Sequence, residues 1–139
     1  MGIFGLIASV ACLATPIQTV DGQQVARSGA ITGYITPAYD IGNGRFALHV
    51  GGWRVRNKLT QKIPWYIRRH AGSSGLLLLT ATRLSPRPKK TFRQKFTSTG
   101  TYPLGIVYPS IISPPSVGCW RLSMRSGAVR GSFVVLVRH

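Results

Sequence analysis

Apolar and polar residues alternate strictly near the C-terminal end of this chain: Trp120, Leu122 and Met124 share one side of an extended segment, Arg121, Ser123 and Arg125 the other. A period of two is the signature of a half-buried strand. After a Ser126-Gly127 turn, Phe133, Val135 and Val137 fall on one face of a second segment while Val134 and Leu136 fill the opposite one. Apolar side chains on both faces predict a strand covered on both sides or packed near a sandwich edge. The pair reads as the closing hairpin of an antiparallel β-sandwich, with Trp120, Leu122, Phe92, Phe96, Leu48 and Phe133 in its core.

Short strands are predicted throughout the rest of the chain. Residues 30–36 are rich in β-branched side chains and stop at Pro37, as a first strand should. A turn follows at Asp40-Ile41-Gly42-Asn43-Gly44, and then Phe46, Leu48 and Val50 alternate inward against Arg45 and His49. In the segment 61–67, Pro64 removes a ladder donor and predicts an edge strand or a bulge. The leucine run at 76–79 begins about eight residues bounded by Gly75 and Pro86, a strand's length more than a helix's. Phe92, Gln94 and Phe96 alternate with Arg93 and Lys95, and residues 105–112 supply one more strand. No amphipathic helix pattern and no repeat intervenes, so the expected fold is all-β, an antiparallel sandwich of seven to eight strands.

A chain of 139 residues makes one domain. Residues 1–20 carry no charged side chain, and the apolar run 2–14 has the length of a signal-peptide h-region. It falls short of the about 20 apolar residues a membrane span needs. The expectation is a signal peptide or lipoprotein leader over residues 1–20, cleaved after Ala14 or lipidated at Cys12 of a weak Ser9-Val10-Ala11-Cys12 box. A linker then occupies 21–29, within a polar stretch that begins at Gln18, and the sandwich occupies 30–139. No Lys or Arg precedes the apolar run, which leaves open a segment that is retained as a strand or helix. A Cys12–Cys119 bridge would tie a targeting segment to a core strand and is not expected.

Charge changes the picture most. The net charge is +16, from 18 Lys and Arg against only Asp21 and Asp40. Most cations are therefore solvated or neutralised from outside by an anionic polymer, a membrane surface or nucleic acid. The expected cationic surface is Arg93, Lys95, Arg121 and Arg125, extended at one end by Lys58, Lys62, Arg68, Arg69 and the loop that holds Arg87, Lys89 and Lys90. The expected function is a non-catalytic extracytoplasmic module that binds an anionic envelope component or serves a structural role. The alternative is an intracellular protein binding RNA or single-stranded DNA, with Trp53, Trp65, Tyr66 and Phe92 as stacking residues among the cations. Against it stands the lack of any RNP-like, KH or helix-turn-helix pattern.

Catalytic patterns are missing. Paired-carboxylate hydrolysis would need Asp21 and Asp40 to flank one bond, and no Gly-x-Ser-x-Gly elbow occurs. Cys119 beside Trp120 reads as packing rather than as a nucleophile. His49, His70 and His139 lack metal-ligand spacing. Neither a cofactor nor a metal is expected.

The run Ile111-Ile112-Ser113-Pro114-Pro115-Ser116-Val117-Gly118-Cys119-Trp120-Arg121-Leu122, with residues 126–127 and 131–137 behind it, resembles the closing strands of uncharacterised bacterial secreted or lipid-anchored proteins with an immunoglobulin-like β-sandwich. Leu48-His49-Val50-Gly51, Gln61-Lys62-Ile63-Pro64-Trp65 and Thr91-Phe92-Arg93-Gln94 look similar to upstream segments of the same group. The resemblance implies an extracytoplasmic, non-catalytic module of immunoglobulin-like fold.

Overall fold

The computed structural model describes residues 12–35, 44–51, 54–55, 58–59 and 61–139. Thirteen strands occur among them: β1 (Gln18–Val20), β2 (Gln23–Ser28), β3 (Ile31–Tyr34), β4 (Ala47–His49), β5 (Arg54–Val55), β6 (Lys58–Leu59), β7 (Lys62–Ile67), β8 (Leu76–Ser85), β9 (Thr91–Thr97), β10 (Gly100–Tyr102), β11 (Gly105–Ile111), β12 (Gly118–Ser126) and β13 (Val129–Arg138). Two sheets face each other, in the orders β1-β2-β3-β7-β11-β10 and β4-β13-β12-β8-β9, and β5 pairs with β6. The fold is thus all-β and sandwich-like. The count exceeds seven or eight because several strands are only two or three residues long. One pairing is not antiparallel, since β4 runs parallel to β13.

Alternation places the core as expected. Trp120, Leu122 and Met124 of β12 and Phe133, Val135 and Val137 of β13 are buried, with Leu48 and Phe96. Phe92 is half-buried, its ring 5.3 Å from Trp120. Trp65 of one sheet meets Phe133 of the other with ring centroids 4.9 Å apart, and Phe46 closes the cluster. Their polar atoms are satisfied: Trp65 Nε1 donates to Ser110 Oγ at 2.9 Å and Trp120 Nε1 to the Ser116 carbonyl at 3.0 Å. A buried indole needs such a partner.

Three expectations about the N-terminal third are corrected. The expected linker is the β1–β2 hairpin. Its tight turn is Asp21-Gly22, with φ of 50° and 76°, and positive φ at both positions suits a primed hairpin turn. Cys12 is not a lipidation site, because its sulfur is bonded to Cys119 in a disulfide. Residues 12–17 are built into the sandwich rather than removable from it. Ala14 is buried, Thr15 N–H donates to the Val134 carbonyl at 2.8 Å, and Phe46 N–H donates to the Thr15 carbonyl at 2.9 Å. Cleavage after Ala14 would discard one half of the disulfide. Residues 1–11, Pro37, the turn expected at 40–43, Trp53 and the Lys58 side chain lie outside what is described.

Pro64 is accommodated differently than expected. Its strand, β7, is central, flanked by β3 and β11. Pro64 lies opposite Pro109, one residue beyond the last position that β3 pairs, Trp65. The missing N–H therefore points to no neglected ladder partner.

Gly33 sets a steric limit on the core. It pairs with Trp65, and a Cβ at Gly33 would stand 2.7 Å from Cε3 of that indole. Overpacking a filled core costs about 1–3 kcal/mol. Gly33→Ala is expected to lower the urea midpoint correspondingly with an unchanged m-value, and an unshifted midpoint would mean that the indole does not lie there.

Candidate anion-binding face

The outward residues of β9, β8, β12 and β13 make one continuous surface. Arg93 and Lys95 project from β9 because Phe92 and Phe96 turn inward, and Arg121 and Arg125 project from β12 because Trp120, Leu122 and Met124 do. Cross-strand register aligns them in rows. One row runs Lys95, Leu78, Arg125, Arg130; the next runs Arg93, Thr80, Ser123, Ser132; the third runs Thr91, Thr82, Arg121, Val134. With neighbouring strands about 4.8 Å apart and alternate residues about 7 Å apart along a strand, Lys95 and Arg125 stand about 10 Å from each other across Leu78.

A shallow groove of about 990 Å³ crosses these four strands, lined by Arg93, Lys95, Arg125, Arg130 and the hydroxyls of Thr80, Ser123, Ser132 and Ser28. The cations are exposed. None of the four is in an ion pair among the described residues. Arg125 and Arg130 are direct cross-strand partners beside the Gly127-Ala128 turn. Like charges placed opposite one another destabilise a ladder. An anion seated between them would remove that repulsion.

The predicted cations do not form one surface. Arg93, Lys95 and Arg125 share the groove, while Arg121 and Lys89 line a separate depression of about 350 Å³ at the end of the sheet where β8 turns into β9. Lys90 is exposed in that same loop. Arg68 and Arg69 are exposed in the segment before β8, whereas the 86–90 loop follows β8, so they sit at the opposite end of a ten-residue strand. Lys62 belongs to β7 in the other sheet. The expectation of a single extension at one end is therefore corrected. Arg130 was missed, although a two-residue turn at Gly127-Ala128 implies that positions 125 and 130 face each other.

The stacking residues of the nucleic-acid alternative are elsewhere. Trp65 is fully buried, Phe92 packs on Trp120, and Tyr66 packs edge-on against Tyr34 at 5.2 Å on the other sheet. Among the described residues no aromatic ring projects from the cationic face. His49, at the far edge on β4, has its pKa lowered by burial and further by the Arg138 charge, against a raising contact with the His139 carbonyl. The lowered pKa favours the neutral ring, so it adds little to the positive field. Comparison with protein-family models, with curated proteins and with solved structures returns no match to this chain.

Proposed function

We propose that this protein is a non-catalytic, extracytoplasmic binding module of immunoglobulin-like topology whose five-stranded sheet grips an anionic, hydroxyl-rich polymer such as a phosphate- or sulfate-bearing envelope glycan. The observation that carries the reading is the directly opposed pair Arg125 and Arg130, set in a groove with Arg93 and Lys95 and with no carboxylate partner among the described residues. A fold that keeps four cations together gains stability when an anion binds among them. The Thr80, Ser123 and Ser132 hydroxyls between them both donate and accept hydrogen bonds, which suits sugar hydroxyls. Bases would want a stacking ring instead.

The topology is supported by strand order. β3-β7-β11-β10 follows the A-B-E-D order of an immunoglobulin sheet and β9-β8-β12-β13 follows C′-C-F-G, with β4 as a second portion of the first strand crossing to run beside β13. The compartment is supported by the Cys12–Cys119 disulfide, since such bonds persist in oxidising surroundings and are rare in the cytosol.

Binding of dextran sulfate, poly(glycerol phosphate), a single-stranded oligonucleotide and anionic phospholipid vesicles, measured against rising salt, tests the reading. The two glycan-type polyanions are expected to bind with a steep, linear log–log salt dependence, and uncharged dextran not at all. Absence of binding to both at low salt overturns the reading. An oligonucleotide or vesicle bound more tightly than either polyanion replaces it with the nucleic-acid or membrane alternative.

A further inference from the structure

Arg83, one of the residues that line the smaller depression, carries a buried guanidinium, a feature that the groove lacks. Arg83 faces inward from β8 and is only 7% exposed. Its Nη1 donates to Ser116 Oγ at 3.1 Å and lies 3.4 Å from the Val117 carbonyl, and its Nη2 donates to the Pro88 carbonyl at 2.9 Å. Its Nε has no hydrogen-bond partner among the described residues. Gly118 makes room for this side chain, since a Cβ there would stand 2.9 Å from Arg83 Cδ. Guanidinium does not deprotonate in proteins. Burying it against neutral acceptors alone leaves a full charge in a poorly screened place.

Three exposed cations border the depression, and Arg121 projects from the outward face of the sheet, opposite to the face that holds the Arg83 guanidinium. Arg83, Arg87, Lys89 and Arg121 all line the depression of about 350 Å³, with Thr82, Leu84 and Pro88 and no acidic side chain among the described residues. That volume is near the lower limit of small-ligand pockets. We propose that this depression is a binding site for one tetrahedral oxyanion, a phosphate or sulfate group, held between the β8–β9 loop and β12 by Arg87, Lys89 and Arg121, with the Arg83 charge behind the sheet adding to the positive field. Planar guanidinium forks match such oxygens in pairs, and a lysine adds a point charge. The site is distinct from the groove and does not depend on the polymer reading. Because the Arg83 bond to Pro88 also anchors the loop, occupancy stabilises the fold.

The test is calorimetric titration and melting of the full chain with inorganic phosphate, sulfate and glycerol phosphate, against chloride at equal ionic strength. Saturable binding and a rise in melting temperature with phosphate or sulfate, absent with chloride, are expected. Lys89→Gln and Arg121→Gln, both at exposed positions, should each weaken binding by about tenfold, and Arg93→Gln should leave it unchanged. Glycerol phosphate bound as tightly as phosphate assigns an esterified ligand, and about tenfold weaker binding assigns the free ion; both support the site. No saturable effect beyond chloride overturns the proposal. So does binding that survives Lys89→Gln and Arg121→Gln but is lost in Arg93→Gln. Polymer binding by the same variants is scored separately, so failure here leaves the groove reading standing.

Discussion

Reduction of the Cys12–Cys119 disulfide should lower the unfolding free energy by about 3–5 kcal/mol. The two cysteines are separated by 107 residues, so the bond closes a loop over most of the chain and removes much of the unfolded ensemble's freedom. It also fixes the segment that follows Cys12. Thr15 caps the edge of the second sheet through its main chain and through Oγ1, which accepts the Val134 N–H at 2.8 Å, and Arg45 Nη1 reaches the Ala14 carbonyl at 2.7 Å. Urea melts with and without reductant check this, with free thiols counted by mass. Cys12→Ala, Cys119→Ala and the double variant should lose nearly the same amount, because removing either sulfur removes the whole link. Coincident melts of oxidised and reduced protein would show that the link contributes nothing. Protein made in a reducing cytosol should accordingly be the less stable form.

The readable parts of the sequence were those in which one strand face is buried. Trp120, Leu122 and Met124 announce β12 and thereby aim Arg121 and Arg125 outward; Phe92 and Phe96 do the same for Arg93 and Lys95. Period-two alternation specifies facing but not neighbours, which is why the groove's members were legible and their grouping was not. Arg121 leaves the set only because β12 places it opposite Thr82, beside the β8–β9 loop. The β1–β2 hairpin was hidden by polar composition: Gln23, Gln24, Arg27 and Ser28 read as linker, although Asp21-Gly22 is a strong hairpin signal. Pro64 pointed to an edge, since its neighbour across the ladder, Pro109, lies 45 positions away. The disulfide was misread for a related reason. The apolar run before Cys12 invited removal, and only tertiary structure shows Ala14 buried and Thr15 bonded to β13.

Replacing Arg93, Lys95, Arg125 and Arg130 together by Gln should weaken binding of the sulfated or phosphorylated polymer about a thousandfold at low salt, at about 1 kcal/mol for each lost contact. The log–log salt slope should fall by about four units, one for each cation withdrawn. The sign of the accompanying stability change separates a binding face from a merely soluble one. Arg125 and Arg130 oppose each other across the β12–β13 ladder, so Arg125→Gln alone should raise stability by a few tenths of a kcal/mol, to about 1 at most, while weakening polymer binding. A cation kept only for solubility would show no such opposition. Arg69→Gln, at the far end of β8, removes the same formal charge and should change neither the stability nor the polymer affinity appreciably. If the fourfold variant binds with the slope and affinity of the parent, the groove is not where the polymer sits. If Arg125→Gln destabilises the fold, the opposed pair is not a source of strain that a ligand relieves.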